Sequence, residues 1–485
     1  MGNQASHGEP VAAAASAESF DPRLEALFAR LAEEKPGQDP CVTEDGFRQL
    51  FGTPLPAFGS VMFNAIAPNP ASGSVGHRAF LIGAQETLNL AGLSSQIKYY
   101  HDVFFEKEGV TEEGVRNMVH TAFTLCLASI NLDPEALKGN TSILDSLASS
   151  VMKTCSKQTG KELHFVIQSH YLQLFSGLHT YVQKTLLGAQ EGPNEELTAS
   201  VRQRFAESMM DLPMAWVLSC ILPIRYTKNR AELVEHSKLP KWLQWSQLYS
   251  SREHGQSLSR FEHHVFEHHV FSYKDPTILL ISCAGGFTFC IAVDSEWRES
   301  TAAWGAHDCL LLQLTPEVWA WGGHDCLLLQ LTPEVWVLDE GQDMRFMNHH
   351  AAWGGHDCLL LQLTPEVWVL DEGQGMMFVN HHARTVKNGI YFGRNFDSPL
   401  VSLQSLDSLQ TAEGELAITN VEVWGCGDEG ALKEQQRWRD WEHRQAEKTQ
   451  KVKRPGRDDW QDNPDKFLLD MVGVETQHPQ ERPGM

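Results

Sequence analysis

The chain has 485 residues, of which 42 % are apolar and 21 % are charged, and its formal net charge at pH 7 is −23. This composition is typical of a soluble globular protein with two or three domains, and the acidity excludes a nucleic-acid partner because phosphate binding needs a basic surface. No stretch reaches the roughly 18 uninterrupted apolar residues of a membrane-spanning helix.

The first residues carry a lipidation pattern. The start Met1–Ser6 (MGNQAS) matches M-G-x-x-x-[ST], in which Gly2 accepts myristate after Met1 is removed. Chance is the competing interpretation of so short a pattern. A single myristoyl chain gives only marginal membrane binding, and Gly2 has no basic cluster beside it and no cysteine nearer than Cys41. We therefore expect residues 1–20 to be a flexible, acylated tail whose lasting membrane residence needs a protein partner.

Residues 21–185 are predicted to be mostly helical. The apolar residues between positions 24 and 31 recur at helical spacing behind Asp21-Pro22, an N-cap followed by a first-turn proline. The alternation of short helices and loops is typical of EF-hand pairs, but residues 67–80 contain no carboxylate, and residues 106–115 place theirs at the wrong spacing for calcium. The prediction is an EF-hand-like scaffold for protein contacts, without a metal or other cofactor.

Residues 186–229 are predicted to form a helical connector. Its apolar run Leu212–Ile224 is bracketed by Pro213 and Pro223. Because the run is shorter than a membrane span, we expect it to be buried core.

Residues 230–427 contain short β-rich segments bounded by Gly, Asp or Pro: Thr277–Cys283, Phe287–Val293, Leu310–Leu314 and Leu416–Trp424. Strands clustered after a helical region predict a β-sandwich with flanking helices, and hence an α+β fold for the chain. Trp297 and Trp424 are predicted to be core anchors.

One cassette occurs three times in this region, at Ala303–Trp319, Ala320–His350 and Ala352–His382. The last two copies differ at three positions, and the copies start 17 and then 32 residues apart. Solenoid repeats keep a fixed period and diverge in sequence, so this pattern indicates a recent duplication or a gene-model error. We expect the fold to have room for one copy.

A shorter stutter, FEHHV, occurs at residues 261–265 and 266–270. In a strand, neighbouring side chains point to opposite faces, which splits each histidine pair. No metal site is predicted there, because zinc ligands must converge on one point.

Six segments, in order, resemble the TLD (TLDc) family. They are Leu239–Leu258, Asp275–Cys283, Gly286–Trp297, Cys309–Leu314, Asn388–Gly393 and the closing Glu422-Val423-Trp424. The third lacks the paired glycines of the family pattern. Together they indicate a TLDc domain over residues 230–427.

Within this family, the myristoylation-type start, EF-hand-like region and late TLDc domain are most similar to lysosomal, mTOR-associated members. The resemblance implies a non-enzymatic adaptor or regulator, in the cytoplasm and peripherally on the lysosomal membrane, that supports mTOR signalling. It also implies mTOR-pathway proteins and vacuolar proton-pump (vacuolar ATPase) subunits as partners, and an oxidative stress response. The alternative within the family is a cytosolic oxidation-resistance protein.

The sequence contains no GxSxG, HExxH, Walker or GxGxxG motif, so we assign no catalytic residue. His254 and Ser257 lie on one loop without an orienting carboxylate and are predicted to be turn residues. The ten cysteines form no CxxC pair and follow no signal peptide, which indicates reduced thiols. A thiol-dependent antioxidant enzyme built on Cys290 is the alternative of another class, although burial in an apolar strand would raise the pKa of this thiol.

Residues 428–485 are predicted to form a charged helix over Asp428–Lys453 and a disordered tail. Trp438 and Trp441 share one face of this helix among alternating charges. Because Trp and Arg dominate interface hot spots, we predict that this pair docks a partner. The alternative is a solvated helix that folds back on the domain.

Overall fold

The computed structural model of the chain describes residues 20–33, 39–51, 55–105, 109–137, 139–155, 159–227, 239–254, 269–297, 310–315, 319–321, 377–380, 389–392, 401–403, 407–411 and 414–450. Residues up to Ala431 form one compact unit, and residues from Leu432 form a second. In the first unit, an N-terminal helical region precedes a sheet-rich region. The predicted mixture of helix and sheet is confirmed, whereas the finer division into domains stays a prediction.

The helical region runs from residue 22 to residue 227. In chain order its helices are α1 (Pro22–Leu31), α2 (Glu44–Leu50), α3 (Pro56–Ile66), α4 (His77–Leu88), α5 (Leu93–Phe105), α6 (Glu112–Ser129), α7 (Ser142–Thr154), α8 (Gly160–His170), α9 (Ser176–Leu186), α10 (Glu195–Phe205), α11 (Leu212–Ile221) and α12 (Ile224–Thr227). The Asp21 side chain accepts the N–H of Arg23 at the start of α1, so the predicted N-cap is confirmed.

Two helix–loop–helix units at the start of this region are tied together by a small sheet. β1 (Cys41–Thr43), between α1 and α2, pairs antiparallel with β2 (Ser74–Gly76), between α3 and α4. Val42 lies opposite Val75, and both are buried. Gly73, just before β2, has a φ of 66°, a left-handed conformation that favours glycine.

The interior of the helical region forms around α6, α9 and α11. Every residue of α11 is buried, and so is Leu222, which confirms the predicted burial for most of the run Leu212–Ile224. The prediction is wrong for Ile224, which is 56 % exposed because it begins the next short helix after Pro223. Its Trp216 ring meets Phe123 of α6 edge to face, with centroids 5.4 Å apart. α9 lies so close to α6 that a Cβ at Gly177 would stand 2.4 Å from Cys126 Sγ, so only glycine fits there.

None of the helices in the described part of the chain combines the length and the apolar character of a transmembrane span.

The sheet-rich region is antiparallel at every described pairing. Its strands are β3 (Ser246–Ser250), β4 (Thr277–Cys283), β5 (Thr288–Val293), β6 (Leu310–Thr315), β7 (Trp319–Trp321), β8 (Met377–Asn380), β9 (Gly389–Phe392), β10 (Val401–Leu403), β11 (Ser408–Thr411) and β12 (Gly414–Gly425); a short helix, α13 (Ser251–His254), follows β3. The strand order is β7-β6-β5-β4-β12-β11-β10-β9-β8, and β3 also pairs with β12. The strands predicted from the sequence are present as β4, β5, β6 and β12.

β12 joins two groups of strands. Its residues 414–417 pair with β11, and its residues 418–425 pair with β4, while its last residues pair with β3 along the opposite edge. One long strand therefore links β3–β7 to β8–β11. The face-to-face packing of the two groups that a sandwich requires stays a prediction.

Different copies of the repeated cassette supply different strands of the described sheet. β6, from the first copy, pairs with β5, and its Leu312 and Leu314 are buried at alternate positions. β8, from the third copy, pairs with β9. The other CLLLQL segments, at residues 326–331 and 358–363, lie outside the described residues. In the described sheet this sequence is therefore used once.

Removing the surplus should leave the sheet intact. Deleting residues 320–368 joins Trp319 to Val369, which removes 49 residues and keeps β6 and β8. Val369 and Leu370 then take the positions of Ala320 and Trp321 in β7. We expect an equal or higher melting temperature and better solubility, because surplus copies would expose leucine triplets to water. Thermal unfolding and the soluble fraction on expression measure this.

The matched control deletes residues 310–368, which also removes β6 and so uncovers the edge of β5; this variant should aggregate. If the shorter deletion unfolds the chain as well, the additional copies are structural.

Candidate functional site

The sheet meets the helical region through one face. Ile278 of β4, Ala292 of β5 and Trp424 of β12 belong to the same buried apolar cluster as the helices. They are in register across the strands, since Ile278 lies opposite both Trp424 and Ala292. This face of the sheet therefore forms a junction with the helical region.

A buried carboxylate lies on the same face. Glu422, opposite Leu280, is 0 % exposed. Its Oε1 accepts the N–H of Met209 at 2.7 Å, and its Oε2 accepts the N–H of Met210 at 3.4 Å and Trp424 Nε1–H at 3.0 Å. A carboxylate removed from water needs such donors to replace its hydration. Glu422 thereby ties β12 to the connection between α10 and α11.

Aromatic and cationic groups extend the junction beyond Glu422. The Trp424 ring stacks on Phe205, the last residue of α10, with centroids 5.9 Å apart. The Arg204 guanidinium donates to the carbonyl of Leu243 at 2.6 Å, and the Trp245 indole donates to the carbonyl of Tyr226 at 3.1 Å. Hydrogen bonds as well as apolar packing therefore hold α10 and α12 to the segment just before β3.

Part of this junction was predicted from the sequence. Trp297 and Trp424 were predicted to be core anchors, and both are buried. The role of Glu422 was missed, although the period of two in a strand places it on the same face as Trp424. The signal that could have identified Glu422 is an acidic residue among the strand positions that face inward.

The predicted docking pair lies on the helix α14 (Glu429–Gln450). Trp438 and Trp441 are 42 % and 47 % exposed, and their ring centroids are 5.1 Å apart. Nearby, Gln436 Nε2 donates to Asp440 Oδ1 at 2.8 Å. An exposed aromatic pair beside polar groups has the composition of an interface hot spot, while its partner stays a prediction.

The buried thiols that the structure describes are poorly suited to nucleophilic chemistry. Cys290 of β5 is buried, and desolvation raises the pKa of its thiol. Burial also raises the pKa of Cys283 to about 11 and that of Cys126 to about 12. Because the thiolate is the nucleophile, these cysteines stay protonated and unreactive at neutral pH.

Of the other residues considered in the sequence, the structure describes His254. Gly2 and Ser257 lie outside the described residues. His254 Nδ1 accepts the N–H of Ser250 at 3.1 Å, and its ring stacks on Tyr249. His254 therefore holds the turn after β3. Within the described ranges, no cluster of three or more His, Cys, Asp or Glu residues could hold a metal.

Comparison with known proteins identifies one domain. Residues 224–427 match the TLDc domain family, so the chain carries a TLDc domain that contains the sheet and Glu422. The resemblance inferred from six segments is confirmed at this level.

Two relatives show short local similarity. "Restriction of telomere capping protein 5" of Candida glabrata is 39 % identical over 77 residues, and the protein of that name from Saccharomyces cerevisiae is 31 % identical over 87 residues. These matches cover 16 % and 18 % of this chain. The chain spans only 13 % and 14 % of the length of these relatives.

The junction predicts a large effect of one substitution. Glu422→Ala removes the acceptor of three donors: the N–H of the half-buried Met209, the N–H of the buried Met210 and the indole N–H of the buried Trp424. We expect the free energy of unfolding to fall by about 3 kcal/mol, since each unsatisfied buried donor costs roughly 1–3 kcal/mol. Denaturant unfolding measures this.

The control is Glu415→Ala, on the exposed part of the same strand, which should unfold like the unmodified chain. Equal stability of Glu422→Ala and Glu415→Ala would show that the junction does not depend on the carboxylate.

Proposed function

We propose that this TLDc-domain chain is a non-catalytic regulator that binds proteins at the lysosomal membrane and supports mTOR signalling. The observation that carries the proposal is the TLDc domain at residues 224–427. A myristoylation-type start, a helical region and a late TLDc domain resemble the arrangement of the lysosomal, mTOR-associated TLD domain-containing protein 1. The expected partners are mTOR-pathway proteins and subunits of the vacuolar proton pump.

The chemistry of the described residues favours a regulator over an enzyme. A thiol-dependent antioxidant would need a reactive thiolate, but the Cys290 thiol is buried and its pKa is raised. His254, the other group considered for catalysis, is engaged with Ser250. Binding surfaces therefore account for the function better than a reaction centre.

The best partner surface among the sequence-predicted sites is the Trp438–Trp441 pair. Large, rigid aromatic side chains dominate interface energies when a partner covers them. The two rings lie 5.1 Å apart and are partly exposed, so one apolar partner surface can cover both. This pair supports protein binding as the mode of action.

We also propose that residues 22–88 descend from an EF-hand pair. The support is the pairing of β1 with β2 between two helix–loop–helix units, and the left-handed Gly73 in the second loop. Residues 67–80 offer no carboxylate, so this loop serves as scaffold. Calcium regulation is not part of the proposal.

Two other functions receive less support. The two yeast relatives are named for a telomere role, but the segment that matches this chain is only about one seventh of each relative. A net charge of −23 also opposes direct contact with DNA phosphates. A cytosolic oxidation-resistance protein stays the alternative within the family. The two hypotheses differ in where the protein lies in the cell, since the proposed regulator lies on the lysosomal membrane.

Location depends on Gly2. Gly2→Ala removes the acceptor of the acyl chain and should move the protein from lysosomal membranes to the cytosol, because no other lipid anchor is expected near this terminus. Fractionation of cells measures this. Ala5→Gly, which keeps the pattern, is the control; unchanged membrane association of Gly2→Ala would contradict the proposed anchor.

Partner binding depends on the tryptophan pair. Trp438→Ala with Trp441→Ala should abolish co-purification with lysosomal proteins, since truncating such anchors costs on the order of 2 kcal/mol each, roughly thirtyfold in affinity. The melting temperature should not change, because both side chains are partly exposed. Co-purification and thermal unfolding measure the two effects.

Gln436→Ala with Asp440→Ala, on the same helix, is the matched control and should keep the partners. Loss of stability with partner binding retained would assign the two tryptophans to packing.

A further inference from the structure

Two histidines of α8 have buried ring nitrogens. His170, the last residue of the helix, is buried, and His164 is half-buried. His170 Nδ1 and His164 Nε2 are both buried without a hydrogen-bond partner. A neutral ring can place a bare lone pair at such a position, whereas a protonated ring would bury an N–H without an acceptor. These two residues are termed the α8 histidines, and their surroundings favour the neutral form.

A third histidine, on the neighbouring helix, faces His164. α8 packs on α5, and the rings of His101 and His164 meet nearly edge to face with centroids 5.7 Å apart. His101 Nδ1 donates to Asp102 Oδ1 at 3.0 Å, and its Nε2 is buried without a partner. A Cβ at Gly160 would stand 3.3 Å from this Nε2, so the first residue of α8 lies close to the ring. Two protonated rings at this contact would repel each other.

The groups around His164 have opposing effects on its pKa. Burial lowers the pKa of His164 most, and the neighbouring His101 lowers it further. Asp102 of α5 raises this pKa, while Lys98 of the same helix lowers it. The net shift is downward, so His164 is neutral at neutral pH.

α7 is the other helix that packs on α8. Its charged side chains are Asp145, which binds side chains of α6, and the exposed Lys153. Directly after α7, burial raises the pKa of the Cys155 thiol to about 12, and Glu162 of α8 raises it as well, so this thiol is uncharged. The remaining charged residue of α8 is Lys161, and α7 contains no histidine. The pH response of the contact therefore depends on α5 and α8.

The sign of this response follows from the direction of the shifts. Burial lowers the pKa of His170 to about 4, and the pKa of His164 is lowered too, whereas a histidine in water has a pKa of about 6.5. Below pH about 6.5, a released α8 would bind more protons than a packed one. The packed helix therefore keeps its full stability above this pH and loses stability as the pH falls below it.

α8 lies at the surface of the helical region. Phe165 and Gln168 are exposed, whereas the opposite side of the helix buries Leu163, Val166 and Ile167. A surface helix can open while the central helices stay packed, because it shares fewer buried contacts with them. Opening of α8 would expose these three apolar side chains.

We propose that the α8 histidines form an acid-operated switch that releases α8 from α5 and α7. At neutral pH the uncharged rings pack in the interface. In acid, protonation of both rings and repulsion between His164 and His101 favour the released helix, whose apolar side then becomes a new binding surface. The switch is a property of the helical region and does not depend on the proposed role at the lysosomal membrane.

The test measures amide hydrogen exchange of the purified full-length chain at about pH 7.5 and about pH 5.5, corrected for the intrinsic effect of pH on exchange. The protection of α8 should fall by about tenfold or more, since protonation of His170 alone shifts the opening equilibrium about tenfold one pH unit below its ordinary pKa. The amides of α6, which lies in the interior, should stay more protected than those of α8 at both pH values.

The variant His164→Gln with His170→Gln removes both titrating rings and keeps a polar side chain at each position. Its α8 protection should be about equal at the two pH values. His77→Gln, at an exposed histidine of α4, is the matched control and should keep the fall. His164→Gln alone, at the half-buried position, is the second variant and should show a smaller fall than the unmodified chain. Melting temperatures show that each variant is folded.

Three outcomes would overturn the proposal. The first is equal protection of α8 at the two pH values in the unmodified chain. The second is equal protection of α8 and α6 in acid, which would mean that α8 opens only when the whole region unfolds. The third is an unchanged fall in the folded variants, which would assign the pH response to other groups such as His179 of α9, whose pKa burial also lowers to about 4.

Discussion

The Glu422 carboxylate is buried within the sheet, and its burial depends on hydrogen-bond donors that surround it. The two backbone donors come from the connection between α10 and α11, and the third donor comes from Trp424 on the same strand. Without the two backbone donors, the buried carboxylate would keep only the indole N–H of Trp424, at a cost of several kcal/mol. The contact therefore couples the folding of the TLDc sheet to that of the helices before it.

This coupling explains why β12 is the central strand of the region. It carries Glu422 and Trp424 toward the helices, pairs with β4 and β3 at one end and reaches β11 at the other. The repeated cassette contributes no residue to β12. β7 and β8 stand at the two ends of the strand order, so the chain leaves the sheet after one end strand and returns at the other. Closing a longer loop costs little additional entropy, so surplus residues between them need not disturb the central ladder.

The proposed binding surface on the last helix is suited to a protein partner. The tryptophan pair offers rigid aromatic area, suited to a shaped protein partner. With an acyl chain on Gly2, two modest interactions would act together, and their combined strength would exceed that of each alone.

Local patterns in the sequence determined much of this protein. The cap at Asp21, the burial of Leu212–Ile221 and the strands β4 and β12 follow from spacing and turn residues that act over a few positions. The TLDc domain was recognisable from six ordered segments for the same reason. Only tertiary structure decided which cassette copy supplies β6, since the copies are nearly identical in sequence and differ only in their connections to the sheet. It also decided that Glu422 accepts from Met209 and Met210, more than 200 residues away, and that Gln173 donates to Thr227. No local pattern encodes such contacts, because they depend on how separate elements pack.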